Sequence, residues 1–254
     1  MKLKKYRINA VFSDIIRIIY ITIPAALIYD LIISNYMGYA EEGFTETLII
    51  YFMGANKIDT VLLTWLFLQT YIIGICIYTL KKELNCSLTI SILKLKSVNR
   101  YINYLVVRMA WIIITFYCVI FGFTVIYVKV FHNTLRATSI YSKYLNIGAD
   151  VNCFLLFSNI ILNTSLYIIL ICILGIVLKS FSNGFLMLQI YQLFALFTTN
   201  KVYSFRYFPL TQGGFIFFDG IYTYKFAAIY QIFMIICSVL LLAKLFKKNI
   251  ENYL

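Results

Sequence analysis

The 254-residue chain is 62% hydrophobic and 13% charged, about half the charged share of a soluble domain, which excludes an ordinary water-soluble globular protein. Its formal charge of +12 lies mostly beside the apolar stretches and forms no compact basic surface interleaved with aromatics, so no nucleic-acid partner is expected. A β-barrel would need strands that alternate polar and apolar residues, whereas these runs are apolar on all sides; an all-α, polytopic transmembrane bundle is predicted, forming one domain over 1–254.

The first residues, Met1 to Arg7, are basic and lead into an apolar run that passes Pro24 and reaches Ile33 without a small-residue cleavage site, which reads as a retained first span and not a secretory signal. Lys2, Lys4, Lys5 and Arg7 interleave with Leu3, Tyr6, Ile8, Val11 and Phe12. That pattern suits an amphipathic interfacial helix before the chain turns inward, or equally a basic juxtamembrane anchor. Spans are predicted at 15–36, 60–80, 103–128, 153–178, 182–199 and 226–246, each near the about 20 residues that cross the hydrocarbon core. Only Lys179, Ser180 and Phe181 separate the fourth from the fifth, so a tight hairpin is expected there, helped by Asn183 and Gly184 on its far side.

Cytoplasmic loops carry the excess of Lys and Arg. Lys81, Lys82, Lys94, Lys96 and Arg100 fall between the second and third spans, Lys244 lies at the end of the sixth, and Lys247 and Lys248 follow it. The 37–59 segment holds Glu41, Glu42, Glu46 and Asp59 with Lys57. Both ends are therefore expected in the cytoplasm.

Residues for catalysis are sparse. The single histidine, His132, falls in an expected outer loop with no HExxH pattern, and no histidines at helical spacing accompany Glu41 and Glu42, so an enzyme is not indicated. The six cysteines, Cys76, Cys86, Cys118, Cys153, Cys172 and Cys237, lie in or beside the spans without a CxxC pair; they read as packing residues and no metal site is expected.

Charges inside spans are expensive in hydrocarbon and mark sites more often than charges elsewhere. Asp14 and Arg17 are three apart and are expected to pair on one helix face. Arg108, near a span's end, is expected to snorkel toward headgroups. Asp30 lies deeper, facing a polar cavity or a neighbouring arginine, or else the outer interface. Asn159, Asn163, Thr164 and Ser165 form a polar stripe on the fourth span and Gln189 and Gln192 add amides to the fifth; these are hydrogen-bonding glue between helices or the lining of a wet path.

The run Lys81-Lys82-Glu83-Leu84-Asn85, followed by Ser91-Ile92-Leu93-Lys94-Leu95-Lys96-Ser97-Val98-Asn99-Arg100-Tyr101, resembles the cytoplasmic element of type-2 ABC exporter permeases, especially Firmicute bacteriocin- and peptide-export permeases. The resemblance implies a multi-pass protein of a bacterial cytoplasmic membrane, working with ABC ATPase subunits and a second permease subunit as homodimer or heterodimer. It implies ATPase coupling by Ile92, Leu93, Lys94, Leu95, Lys96, Val98 and Arg100; in such a permease the polar span residues Asp30, Asn159, Asn163, Gln189 and Gln192 are candidates for a translocation path. The aromatic segment from Tyr203 to Tyr224 would re-enter the outer leaflet, with Phe208, Phe215 and Phe217 as outer-gate candidates. The chain has no Gly-rich phosphate loop, so ATP and Mg belong to the partner and no cofactor to this chain. The different reading to be weighed is a non-transporting immunity or assembly factor that binds another membrane protein.

Overall fold

A computed structural model describes residues 2–37, 66–83, 98–131, 153–198 and 224–251. These form six helices: α1 Lys2–Met37, α2 over 66–83, α3 Val98–Phe131, α4 Cys153–Val177, α5 Phe181–Thr198 and α6 Tyr224–Glu251. The described chain is all-helical, and α1, α3, α4 and α6 each contain a stretch long and apolar enough to cross a membrane. The protein is a helical membrane protein.

The basic N-terminal segment does not turn before the first span: α1 is one helix from Lys2 to Met37 with Pro24 inside it, about 54 Å long at 1.5 Å per residue. A proline in mid-helix leaves carbonyls of the preceding turn without their usual donors, and in lipid those must be satisfied from within the protein. Next to this break, the Tyr71 hydroxyl of α2 donates to the Ile21 carbonyl at 2.9 Å, and Thr22 Oγ1 donates to the Ile18 carbonyl at 2.6 Å. Ala25 and Ala26, both buried, keep the surface of α1 low and allow close helix approach.

Cross-helix contacts fix the directions. Asp14 meets Arg108 and Asp30 meets Thr124, each pair 94 residues apart, so α1 and α3 run parallel in one register over sixteen residues, about 24 Å. Helix α2 is antiparallel to both: Tyr71 reaches Ile21, the Arg17 guanidinium lies over the Tyr78 ring, and Glu83 returns to Arg108. Tyr117 meets Thr164, and the Phe121 ring lies 4.8 Å from that of Phe157, so α4 is antiparallel to α3. Tyr101 against Phe246 sets α6 antiparallel to α3 as well. The starts of α1 and α3 and the ends of α2 and α6 thus share one end of the bundle, called here the basic end.

The tight turn between α4 and α5 spans Leu178 to Ser180, with Gly184 N–H donating to the Ser180 carbonyl at 3.1 Å. Lys179, not Gly184, takes the left-handed conformation, with φ of 53°, closing α4 as a helix C-terminal residue commonly does. Ser180 then caps α5, its Oγ accepting from the Asn183 N–H at 3.3 Å. Gly184 serves packing: a Cβ there would stand 3.0 Å from the Gly175 backbone nitrogen and 3.2 Å from the Ile171 carbonyl oxygen. Helix α4 is the most enclosed of the four long apolar helices and α6 the least.

Candidate functional site: a charge hub at the basic end

Arg108 sits nearly three turns into α3 and is buried, its side chain 9% exposed. Its Nε donates to Asp14 Oδ2 on α1 at 2.5 Å, and one terminal nitrogen donates to Glu83 Oε1 on α2. The guanidinium also lies over the Tyr104 ring. One planar fork thus ties three helices, a geometry arginine offers and lysine does not. The expected pairing of Asp14 with Arg17 on α1 is replaced by this contact across helices, and Arg17 instead covers the Tyr78 ring at 5.4 Å. Arg108 does not snorkel: with two carboxylates within reach, ion pairing supersedes solvation by headgroups. Nearby, Lys81 Nζ donates to Ser182 Oγ at 3.1 Å, tying the end of α2 to the start of α5.

A second polar seam lies toward the opposite end. Asp30 is buried and accepts a hydrogen bond from Thr124 Oγ1 at 2.8 Å, a contact between α1 and α3. Tyr117 and Thr164 share a hydrogen bond of 2.8 Å between α3 and α4, while Ser165 turns back on the Ile161 carbonyl of its own helix. Asn159 and Asn163 are buried. Among the described residues, half-buried Gln189 has no hydrogen-bond partner for its Nε2, and fully buried Gln231 on α6 has none for either amide atom. Gln231 received no weight from sequence, although an amide in the middle of the last span is the same kind of signal as the asparagines of α4.

Three cavities flank these seams. An apolar one of 310 Å³ lies among α3, α4 and α6, bordered by Leu80 and Phe181. A groove of 670 Å³ runs between α1 and α3 beside Arg108, and one of 480 Å³ between α1 and α2 beside Asp14 and Arg17. Asp30, Asn159, Asn163 and Gln189 line none of the three. Among the described residues, no group of three or more His, Cys, Asp or Glu side chains gathers to hold a metal. Cys76 and Cys172 are buried packing residues, whereas Cys118 and Cys237 face outward.

Of the residues assigned to ATPase coupling, Ile92, Leu93, Lys94, Leu95 and Lys96 lie outside the described residues, Val98 opens α3, and Arg100 is exposed on its first turn. Gln192 belongs to α5, and Phe208, Phe215 and Phe217 lie outside the described residues. Comparison with protein-family models, with curated proteins and with solved structures finds no match for this chain.

Proposed function

We propose that the chain is the membrane-spanning subunit of an ATP-driven exporter, crossing the membrane six times with both ends in the cytoplasm and coupled to a separate ATPase through the segment between α2 and α3. The observation that carries this reading is the position of the Arg108 hub. Glu83 ends α2 and Arg108 stands near the start of α3, so the 84–97 segment is attached directly to two of the three helices that the guanidinium joins. A load applied to Leu95 and its neighbours by a docked ATPase would reach α1, α2 and α3 together. The basic end is then the cytoplasmic end, in keeping with the Lys and Arg distribution.

The path for an amphipathic peptide or lipid-like substrate lies between this chain and a second permease subunit. Asp30, Asn159 and Asn163 are enclosed by packing between helices of one chain and act there as hydrogen-bonding glue. The test is co-purification. Leu95→Asp would bury an unpaired carboxylate in the docking contact and should abolish ATPase association at wild-type expression. Retention of the ATPase by that variant would refute the coupling assignment.

That enclosure of polar groups favours one other reading, a non-transporting immunity or assembly factor whose outer apolar face binds another membrane protein. Mass spectrometry of the co-purified partners separates the two: a nucleotide-binding subunit supports the exporter, and a membrane protein without one supports the binding factor.

A further inference from the structure

The groove between α1 and α3 has an amphiphile's polarity along its length. On α3 its wall runs from Arg100 and Asn103, both exposed, through Tyr104 to Val107 and Trp111. On α1 it is formed by Val11, Phe12 and Ile15. From Arg100 to Trp111 the helix rises about 16 Å, roughly the depth of one leaflet of a hydrocarbon core about 30 Å thick. Phe12, Val107 and Trp111 are 62%, 53% and 48% exposed, so the apolar part of the groove is open from the side.

Its charge has one sign. Among the described residues Arg100 and Arg108 line the groove and no carboxylate does; Arg108 is already paired with Asp14 and Glu83, so the charge offered to a ligand is that of Arg100. The parallel register of α1 and α3 sets Arg100 level with position 6 of α1, inside the run Lys4-Lys5-Tyr6-Arg7. A polar, cationic mouth at the membrane surface above an apolar trough one leaflet deep matches a phospholipid of negative charge.

We propose that this groove binds an anionic phospholipid, its phosphate held by Arg100 and Asn103 and one acyl chain laid along Val107 and Trp111 against Phe12 and Ile15. The inference rests on the helices crossing a bilayer and not on the exporter reading, and its readout needs no ATPase, so either can fail alone. In the proposed orientation the lipid belongs to the cytoplasmic leaflet.

The chain has two tryptophans, Trp65 and Trp111, so Trp65→Phe leaves Trp111 as the single reporter. The full chain carrying that change is reconstituted in phosphatidylcholine vesicles containing a minor fraction of phosphatidylglycerol or of phosphatidylcholine brominated on the acyl chains. Brominated phosphatidylglycerol should quench Trp111 several-fold more strongly per mole. Arg100→Gln with Asn103→Leu should lower that preference about five-fold, the effect of one surface cation on an anionic lipid. Without the double variant, raising the salt to screen the headgroup contact should lower the preference in the same direction.

Equal quenching by both lipids would overturn the proposal, whether the face meets ordinary bulk lipid or is covered by another chain. A preference untouched by both the double variant and salt would overturn it too. Millimolar glycerol phosphate should not relieve the quenching; if it does, the site takes a soluble phosphate and not a lipid.

Discussion

Removing the guanidinium hub tests the architecture most directly. In Arg108→Met the side-chain volume is nearly kept, but Asp14 and Glu83, 18% and 20% exposed, lose the guanidinium they share. Breaking a buried ion pair from one side costs about 3–5 kcal/mol. Because both carboxylates keep some access to solvent, the lower end applies, about 3 kcal/mol, or roughly a hundredfold in the folded-to-unfolded ratio. Reversible unfolding of the purified chain in mixed micelles, followed by circular dichroism against denaturant, would read this as a shifted midpoint. Arg108→Lys should fall between the two, since an ammonium cannot reach both acids as a planar fork does. The triple variant Asp14→Asn, Glu83→Gln, Arg108→Met removes all the charge and should recover most of the loss. A single Arg108→Met chain as stable as wild type, or a triple variant no better than the single one, would refute the hub as the element joining α1, α2 and α3.

Gly184→Val should destabilise by about 1–3 kcal/mol, because the new Cβ meets backbone of α4; Gly74→Ala, where a Cβ meets nothing within 4 Å, should be neutral or slightly stabilising in the same unfolding assay. Gln231→Leu removes a buried amide that has no partner among the described residues and should raise stability by about 1–3 kcal/mol; a loss of stability would show that the amide is satisfied in the folded membrane form. In a cysteine-free background in intact cells, an impermeant thiol reagent should label Glu42→Cys and not Ser97→Cys, and the reverse pattern would refute the proposed orientation.

Apolar length made the fourth span legible: 153–178 corresponds to Cys153–Val177, a helix long and apolar enough to cross a membrane, because in lipid an apolar run of that length has few alternatives to helix; at 182–199 the structure has the helix Phe181–Thr198. The polar contacts were less legible. Asp14 has Arg17 one turn away, and local spacing always offers such a pair, while a partner 94 residues distant leaves no periodic trace. One signal was present: Arg108 has no acid three or four residues away on its own helix, so a buried position had to draw its carboxylates from elsewhere. Asp14 and Glu83 were the candidates at the same end. The turn was legible on its far side, where Asn183 and Gly184 both donate to Ser180, but not at its centre, where Lys179 in the left-handed region runs against its ordinary preference.

The shared register of α1 and α3 has a consequence for biogenesis. Neither carboxylate of α1 reaches its α3 partner until 94 further residues have been polymerised, which takes about 5–20 s at ordinary rates of synthesis. During that interval Asp30, whose final place is enclosed, lacks its α3 hydrogen bond, and a carboxyl short of partners in hydrocarbon is costly, which favours holding the first helix near the translocation channel. The first helix is therefore inserted early but docked late, and its retention beside the channel should end when α3 emerges.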